Sequence, residues 1–415
     1  MKVLHVTQNY HPSNGGTQYA IKKISEIFFE VYKDDVTVYT SNSMFGPNRS
    51  KFEQIPIQEE VINGVKVRRF SFARFHFPLI VLFGKFLRKV FNKPLPEFLI
   101  ALLQGPISAN MRRAINANNA DVIGASSIHY LFADYPFWRK YTRNPKPFVM
   151  FGAMHLHSHK ILDVYLRRLK AAEYYIANSS YEKKHLVSLG CPAENIKVIG
   201  VGSDIETKAD FSITDAQLKD AYDIPTGTVV ITYLGRQEAF KGIPVLLEAF
   251  LKLNTPENAN TQLFICGASS SYTPELSKIA DGNSNIRLFC DITELQKTEI
   301  LRVTDVLVLP SKEESFGIVF LEAWSFSKPV IGAGIGAIAS VIEDGTDGLL
   351  FKPDDAEDLA EKLTTLITNQ PLRQTLGNNG NTKFRENYTW DIVAKKFRAV
   401  YEEAIIKFNR QRKKN

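Results

Sequence analysis

The sequence has 415 residues, 44% of them hydrophobic and 23% charged, which is typical of a globular protein and argues against a disordered or fibrous one. A chain of this length favours two domains or more. Its three cysteines have no close spacing, which argues against a disulfide framework or a zinc site and fits a reducing, cytoplasmic location. The formal net charge of +7 favours an acidic partner: a nucleotide phosphate, nucleic acid or an anionic membrane surface.

The first half of the chain alternates short apolar runs with helical patterns. Residues 2–7 read as a strand, 18–32 as a helix and 36–40 as a second strand, an order that implies a parallel, doubly wound sheet. The chain enters the first strand directly, so we expect no secretory signal peptide. Further strands are predicted at 65–70, 122–124, 148–151 and 174–177.

Two adjacent glycines, Gly15 and Gly16, follow the first strand. Adjacent glycines let a backbone approach a ligand closely and adopt positive φ. A tight connection between strand and helix accounts for them equally well, so alone they do not indicate a site.

A basic and aromatic stretch occupies residues 66–93, with lysines, arginines and phenylalanines but no acidic residue. Such a segment is typical of interfacial membrane binding and also resembles platforms for single-stranded nucleic acid. Its apolar centre is too short to span a bilayer. We expect peripheral docking on an anionic membrane, with rings contributed by Phe70, Phe75, Phe83 and Phe86, and no nucleic-acid groove. The alternative is a helix packed on the first domain with its aromatic side chains hidden.

The second half restarts the alternation of strands and helices, and it predicts a second α/β domain. Glycines and a turn-favouring aspartate near residues 200–212 interrupt the pattern between the halves. A long helical pattern covers residues 390–412. The strands of this half are predicted at 228–235, 262–267, 286–289, 305–310 and 329–332.

Two cations follow the strand at 228–235, in a loop that leads into a helix. Arg236 and Lys241 suit phosphate binding, Arg through its forked donors and Lys as a compact charge. The carboxyl end of a parallel strand is where α/β sheets bind such ligands. Solvated loop cations are the alternative.

Glu314 and Glu322 stand eight positions apart after the strand at 305–310. Glu314 precedes a predicted helix and Glu322 lies on its second turn, so that both carboxylates can face one ligand. Ionised carboxylates accept hydrogen bonds from the hydroxyls of a sugar or ribose. The free N–H groups at the helix start favour an anion such as a diphosphate. We therefore expect contacts with the ligand along Phe316, Gly317, Ile318 and Val319.

This pair of glutamates, with the preceding cations, resembles the signature of retaining nucleotide-sugar glycosyltransferases of family 4. The resemblance implies the GT-B fold: two facing Rossmann-like domains with an interdomain cleft, and a C-terminal helix that crosses back to the first domain. The implied acceptor-binding domain is 1–205, completed by 391–415, and the donor-binding domain is 206–390.

The resemblance also implies roles for individual residues. Glu314 would contact the donor sugar and Glu322 the ribose, while Arg236 and Lys241 would hold the diphosphate. Gly15 and Gly16 would face that diphosphate from the first domain.

His155 would reach the donor-sugar pocket, although this chain departs from the family pattern by continuing with His157 and His159. Alternating histidines also suit a metal, but no nearby acidic cluster or cysteine completes such a site. We expect no metal or other cofactor.

The implied activity is transfer of a sugar, with retention, from a UDP-sugar to a hydroxyl acceptor in polysaccharide or glycolipid synthesis. The acceptor would be a saccharide or a lipid-linked sugar, and the enzyme cytoplasmic or peripheral on the inner membrane face. A sugar-nucleotide hydrolase, an epimerase and a non-catalytic nucleotide-sugar binding protein remain alternatives.

Overall fold

The computed structural model divides the chain into two compact units. The first comprises Met1–Gly200 with Val393–Asn415, and the second comprises Val201–Ile392. The structure describes residues 1–13, 15–44, 53–103, 105, 107–129, 131–152, 154, 161–253 and 260–413.

The first unit is built on an eight-stranded sheet in the order β3-β4-β2-β1-β5-β6-β7-β8. Strand β3 pairs antiparallel to β4, and the other neighbours pair in parallel. The strands are β1 (Lys2–Val6), β2 (Asp35–Ser41), β3 (Glu59–Ile62), β4 (Val65–Phe70), β5 (Val122–Ser126), β6 (Phe148–Phe151), β7 (Tyr174–Ala177) and β8 (Ile196–Val198).

The antiparallel edge departs from the wholly parallel sheet that the sequence predicts. Asn63 and Gly64 join β3 to β4 with φ values of 47° and 82°. Two consecutive positive φ values are what a two-residue hairpin turn requires, and Asn-Gly is the pair that adopts them most readily. The hairpin therefore follows from local turn chemistry.

Seven α-helices from the first 200 residues accompany this sheet in the described part of the chain. Helix α1 buries Ile21, Ile24 and Phe28, whose spacing places them on one face. The helices are α1 (Gly16–Glu30), α2 (His76–Phe91), α3 (Glu97–Leu102), α4 (Ala109–Ala117), α5 (Asp134–Arg139), α6 (Asp163–Ala171) and α7 (Ser180–Ser188).

The stretch at 66–93 is divided between a strand and a helix. Its first part belongs to β4, where the buried ring of Phe70 packs edge-on against Tyr39 with centroids 5.1 Å apart. The prediction that Phe70 presents its ring to a membrane is therefore wrong. The remainder forms α2, whose aromatic side chains are largely exposed, so the alternative of hidden aromatics is wrong for this helix. No helix within the described residues has the length and apolar character needed to cross a membrane.

The second unit contains a six-stranded parallel sheet in the order β11-β10-β9-β12-β13-β14. Its strands are β9 (Val229–Leu234), β10 (Thr261–Gly267), β11 (Ile286–Cys290), β12 (Val306–Leu309), β13 (Val330–Ala333) and β14 (Leu349–Phe351). The helices around it are α8 (Asp215–Ala221), α9 (Ile243–Lys252), α10 (Thr273–Asp281), α11 (Glu294–Val303), α12 (Ile318–Ser325), α13 (Ile338–Val341), α14 (Ala356–Thr368) and α15 (Gln370–Asn387).

The last helix, α16 (Trp390–Arg412), belongs to the first unit from Val393 onward, which confirms that the C-terminal helix returns to the first domain. The hydroxyl of Tyr401 lies 3.0 Å from Nε2 of the buried His5 on β1. Arg398 donates from Nε to Asp34 at 2.9 Å. These contacts anchor α16 by a buried aromatic residue and a charged pair.

We predict that Tyr401→Ala lowers the free energy of unfolding of the first unit by about 3–5 kcal/mol, because a fully buried ring leaves a cavity that its surroundings fill only in part. Urea unfolding followed by circular dichroism measures this change. Ile406→Ala on the exposed side of α16 is the matched control and should stay within about 0.5 kcal/mol of the unmodified protein. Equal effects of the two substitutions would contradict the packing described here.

Candidate functional site

The candidate site lies where strands β9 and β12 run side by side. The chain passes from β9 outward to β10 and β11, and then crosses to β12 and outward to β13 and β14. Ile231 of β9 is in register with Val306 of β12, so the carboxyl ends of both strands meet at one sheet edge. Ligands of open α/β sheets bind at such a switch point, in the crevice outside the strand ends.

The loop after β9 carries the two predicted cations. The Arg236 side chain is 59% exposed and donates to Glu238 at 3.0 Å. The guanidinium of Arg236 and the ammonium of Lys241 lie 5.5 Å and 5.6 Å from the ring centroid of Phe240. An exposed aromatic ring therefore adjoins both cations, a feature that the sequence analysis missed.

Gly242 closes this loop and begins helix α9. Its φ is 81°, and a Cβ atom at this position would lie 2.1 Å from the carbonyl oxygen of Pro310. Only glycine tolerates both that backbone conformation and that approach. The loop after β9 is therefore held directly against the loop after β12.

Glu314 lies in this second loop and forms an ion pair with Lys241. Lys241 Nζ donates to Glu314 Oε1 at 2.7 Å, and both side chains are largely shielded from solvent. The structure therefore brings together a residue predicted to bind sugar hydroxyls and one predicted to bind phosphate.

Tyr233, on β9, contacts the loop that follows its own strand. Its hydroxyl donates to the carbonyl oxygen of Arg236 at 2.7 Å. Burial, and next the charge of Glu314, raise the pKa of Tyr233, so the hydroxyl remains a donor at neutral pH. The sequence pattern marked Tyr233 only as part of a buried strand.

Helix α12 starts at the same edge, directly after Gly317. That residue has φ 91°, and a Cβ atom there would lie 2.7 Å from the ring of Phe320. The N–H groups of Ile318 and Val319 lie in the first turn, where a helix has no internal acceptors for them. Phe316, by contrast, is buried against Tyr388 with ring centroids 5.6 Å apart, which leaves only its backbone for a ligand.

Glu322, on the second turn of α12, is 8% exposed and is held by a lysine that the sequence analysis missed. Lys297 of α11 donates to Glu322 at 2.8 Å and lies 3.3 Å from Glu294. Burial works against the charge of Lys297, but the carboxylates of Glu322 and Glu294 outweigh it and raise its pKa above the ordinary value. Lys208 extends the chain of charges with an ion pair to Glu294 at 2.8 Å.

Two of the remaining predicted site residues belong to the first unit. Gly15 and Gly16 stand at the start of α1 in the first unit, where Gly15 is the residue before the helix. His155, His157 and His159 lie outside the described residues, so their predicted or open roles are unchanged. Among the residues that the structure describes, no three or more His, Cys, Asp or Glu side chains cluster as a metal site would require.

Two family models match the chain in succession. Residues 34–207 match Glycosyltransferase Family 4, and residues 215–383 match Glycosyl transferases group 1. The second match contains Arg236, Lys241, Glu314 and Glu322. The chain belongs to the glycosyltransferases in which a family 4 domain precedes a group 1 domain.

Curated relatives include a D-inositol 3-phosphate glycosyltransferase of Corynebacterium aurimucosum, which is 26% identical over 56% of this chain and 58% of its own length. An uncharacterized glycosyltransferase of Methanocaldococcus jannaschii is 32% identical over 39% of this chain and 45% of its own length. The chain thus spans about half the length of the curated relatives it matches.

Among solved structures, Anabaena HepE in complex with UDP and glucose superposes with a TM-score of 0.70 at 18% identity, covering 97% of this chain and 100% of that one. The sucrose-phosphate synthase of Thermosynechococcus elongatus gives a TM-score of 0.69 at 17% identity, covering 97% and 98%. At these identities the likeness shows the fold alone, which is GT-B.

We predict that Lys297→Met lowers the free energy of unfolding of the second unit by about 1.5–3 kcal/mol, because Glu322 loses a charged hydrogen-bond partner in a largely buried position. Chemical denaturation measures the change. The control is Lys352→Met, which removes a lysine whose side chain is 76% exposed beside Asp355 and should have little effect. Adding Glu322→Gln to Lys297→Met should restore part of the loss, and a double variant less stable than Lys297→Met would contradict the pairing.

Proposed function

We propose that the chain is a retaining glycosyltransferase that moves a hexose from a UDP-sugar to a hydroxyl acceptor. The observation that carries the proposal is the meeting of Arg236, Lys241, Glu314 and the start of α12 at one sheet edge. This arrangement offers cations to a diphosphate and carboxylates to hydroxyl groups within one site. Family membership supports the reaction class.

The cations would act on the leaving group. When the bond from the sugar to the diphosphate breaks, its electron pair goes to the departing oxygen and negative charge grows on the diphosphate. Arg236, Lys241 and the N–H groups at the start of α12 would stabilise that charge from preorganised positions. We propose that these groups make a divalent metal ion unnecessary.

The two glutamates would have separate tasks. Glu322, fixed by Lys297, would accept hydrogen bonds from the ribose hydroxyls, and Glu314 would accept them from the sugar. The pair between Lys241 and Glu314 suggests a sequence of contacts: a diphosphate competes for the lysine, and the released carboxylate becomes available to the sugar.

UDP as the carrier draws support from the solved complexes of HepE with UDP and glucose, which share the fold. We propose a saccharide or lipid-linked acceptor, a role in cell-surface polysaccharide or glycolipid synthesis, and action at the cytoplasmic side of a membrane.

The direct test is incubation of the full chain with UDP-hexoses and candidate acceptors, with the anomeric configuration of the product determined by NMR. Transfer with retention and without added metal is expected. Free sugar would indicate a hydrolase, an isomerised donor an epimerase, and UDP binding without turnover a binding protein.

We predict that Arg236→Ala or Lys241→Ala lowers turnover by about a hundredfold or more, the scale of losing one preorganised electrostatic donor. Initial-rate measurements with saturating donor test this. Lys252→Ala is the matched control, since Lys252 forms an ion pair with Glu357 at 2.7 Å at the far end of α9 and should leave turnover unchanged. Near-normal transfer by the Arg236→Ala, Lys241→Ala double variant would exclude the proposed role of the two cations.

We predict different effects of substituting the two glutamates on the affinity for UDP itself. Glu322→Gln should weaken it about tenfold, because charged hydrogen bonds to the ribose are lost. Glu314→Gln should leave it equal or tighter, because Lys241 is freed for the diphosphate, while transfer falls. Calorimetric titration with UDP distinguishes the roles, and an equal loss of UDP affinity in both variants would show that the assignment is wrong.

A further inference from the structure

Helix α2 carries an apolar stripe that no described part of the chain covers. Eight large apolar side chains on and just before the helix are at least 44% exposed, and six of them form the stripe: Phe75, Leu79, Leu82, Phe83, Phe86 and Val90. At 3.6 residues per turn they fall within an arc of about 100°. Monomeric soluble proteins rarely expose so continuous an apolar surface, and where they do it marks an interaction site.

The exposed stripe borders the face by which α2 attaches to the first unit. That second face carries the buried His76 and Ile80. His76 Nε2 lies 3.0 Å from the carbonyl oxygen of Leu102, the last residue of α3. The face that carries His76 and Ile80 therefore attaches the helix to the first unit.

Charge decides which partner fits the stripe. Residues 71–96 contain five cations and no acidic residue: Arg74, Lys85, Arg88, Lys89 and Lys93. Lys85, Lys89 and Lys93 are exposed and form no ion pair with the described residues. A second copy of the chain, docked by the same face around a two-fold axis, would bring these like charges together. An anionic lipid surface would instead pair with them while taking up the apolar side chains.

We propose that α2 is an interfacial membrane helix, lying in the plane of an anionic bilayer with Leu79, Leu82 and Phe86 inserted and Lys85 and Lys89 on the lipid phosphates. This inference rests on the proposed function in one respect: docking would hold the enzyme where a lipid-linked acceptor is found. The binding itself requires neither donor nor acceptor, so it can be measured separately.

The test is co-sedimentation of the full chain with vesicles of phosphatidylglycerol and phosphatidylcholine in equal parts, and with vesicles of phosphatidylcholine alone. We expect binding to the anionic vesicles only, and its loss at high salt because the Debye length falls from about 10 Å at 0.1 M to about 3 Å at 1 M. Binding of equal strength to both vesicle types would overturn the assigned role of the cations.

Substitutions on the exposed stripe should remove binding without unfolding the chain. Leu79→Ser with Phe86→Ser should lower vesicle partitioning at least about tenfold, because two large apolar side chains no longer leave water. Phe211→Ser with Ile406→Ser is the matched control, since both residues are exposed apolar side chains away from α2. Equal losses in the two double variants would overturn the assignment to α2.

A second pair of matched variants tests the role of the lysines. Lys85→Glu with Lys89→Glu should lower binding to anionic vesicles at least about tenfold, whereas Lys184→Glu with Lys395→Glu, which changes net charge equally at exposed lysines elsewhere, should not. Light scattering on the unmodified chain checks for a dimer, and a dimer that the Leu79→Ser, Phe86→Ser variant abolishes would assign the stripe to a second copy and overturn the membrane proposal. Titration of the same variants with UDP distinguishes a failure of the membrane proposal from a failure of the proposed function. Loss of vesicle binding with UDP affinity intact confirms the role of α2 and leaves the proposed function standing, whereas a chain that binds vesicles but not UDP contradicts the proposed function alone.

Discussion

Strands β9 and β12 are neighbours in the second sheet although β10 and β11 lie between them in the chain. This adjacency brings the loop with Arg236 and Lys241 to the loop with Glu314, some seventy positions later in sequence. The close approach of Gly242 to Pro310 then fixes the separation of the two loops. The charges of the candidate site have a common location because a parallel sheet presents the ends of its strands at one edge.

Burial divides the charged groups of this site into two kinds. Glu322 and Lys297 are largely buried and paired, and removing a buried charge from its partner is costly, so their geometry is fixed by the fold. Arg236 is mostly exposed, and its pair with Glu238 is the kind of surface contact that contributes little to stability. A site with a rigid carboxylate and an adaptable cation is suited to a ligand whose nucleoside end is constant while its phosphate and sugar end changes during reaction.

The first unit contains two helices with similar apolar patterns and opposite outcomes. Helix α16 buries Val393, Phe397, Val400 and Tyr401 against the sheet and its surroundings. Helix α2 leaves most of its large apolar side chains in contact with solvent. Periodicity specifies which side chains share a face, but the material that covers that face is decided by the remainder of the fold.

The sequence by itself determined the α/β class, eleven of the described strands, the long C-terminal helix and the positions of Arg236, Lys241, Glu314 and Glu322 after strands or on a helix. These features depend on local patterns of two and 3.6 residues and on residues with specific chemistry. It did not predict β3, β8 and β14, because these short strands lie at sheet edges and are only partly buried, so they lack the buried apolar run that marks the central strands of four residues. Only the tertiary structure decided that Lys241 pairs with Glu314, that Lys297 holds Glu322 and that α2 faces outward. Each of these depends on segments distant in sequence, whose proximity is set by strand order and by packing rather than by any local signal.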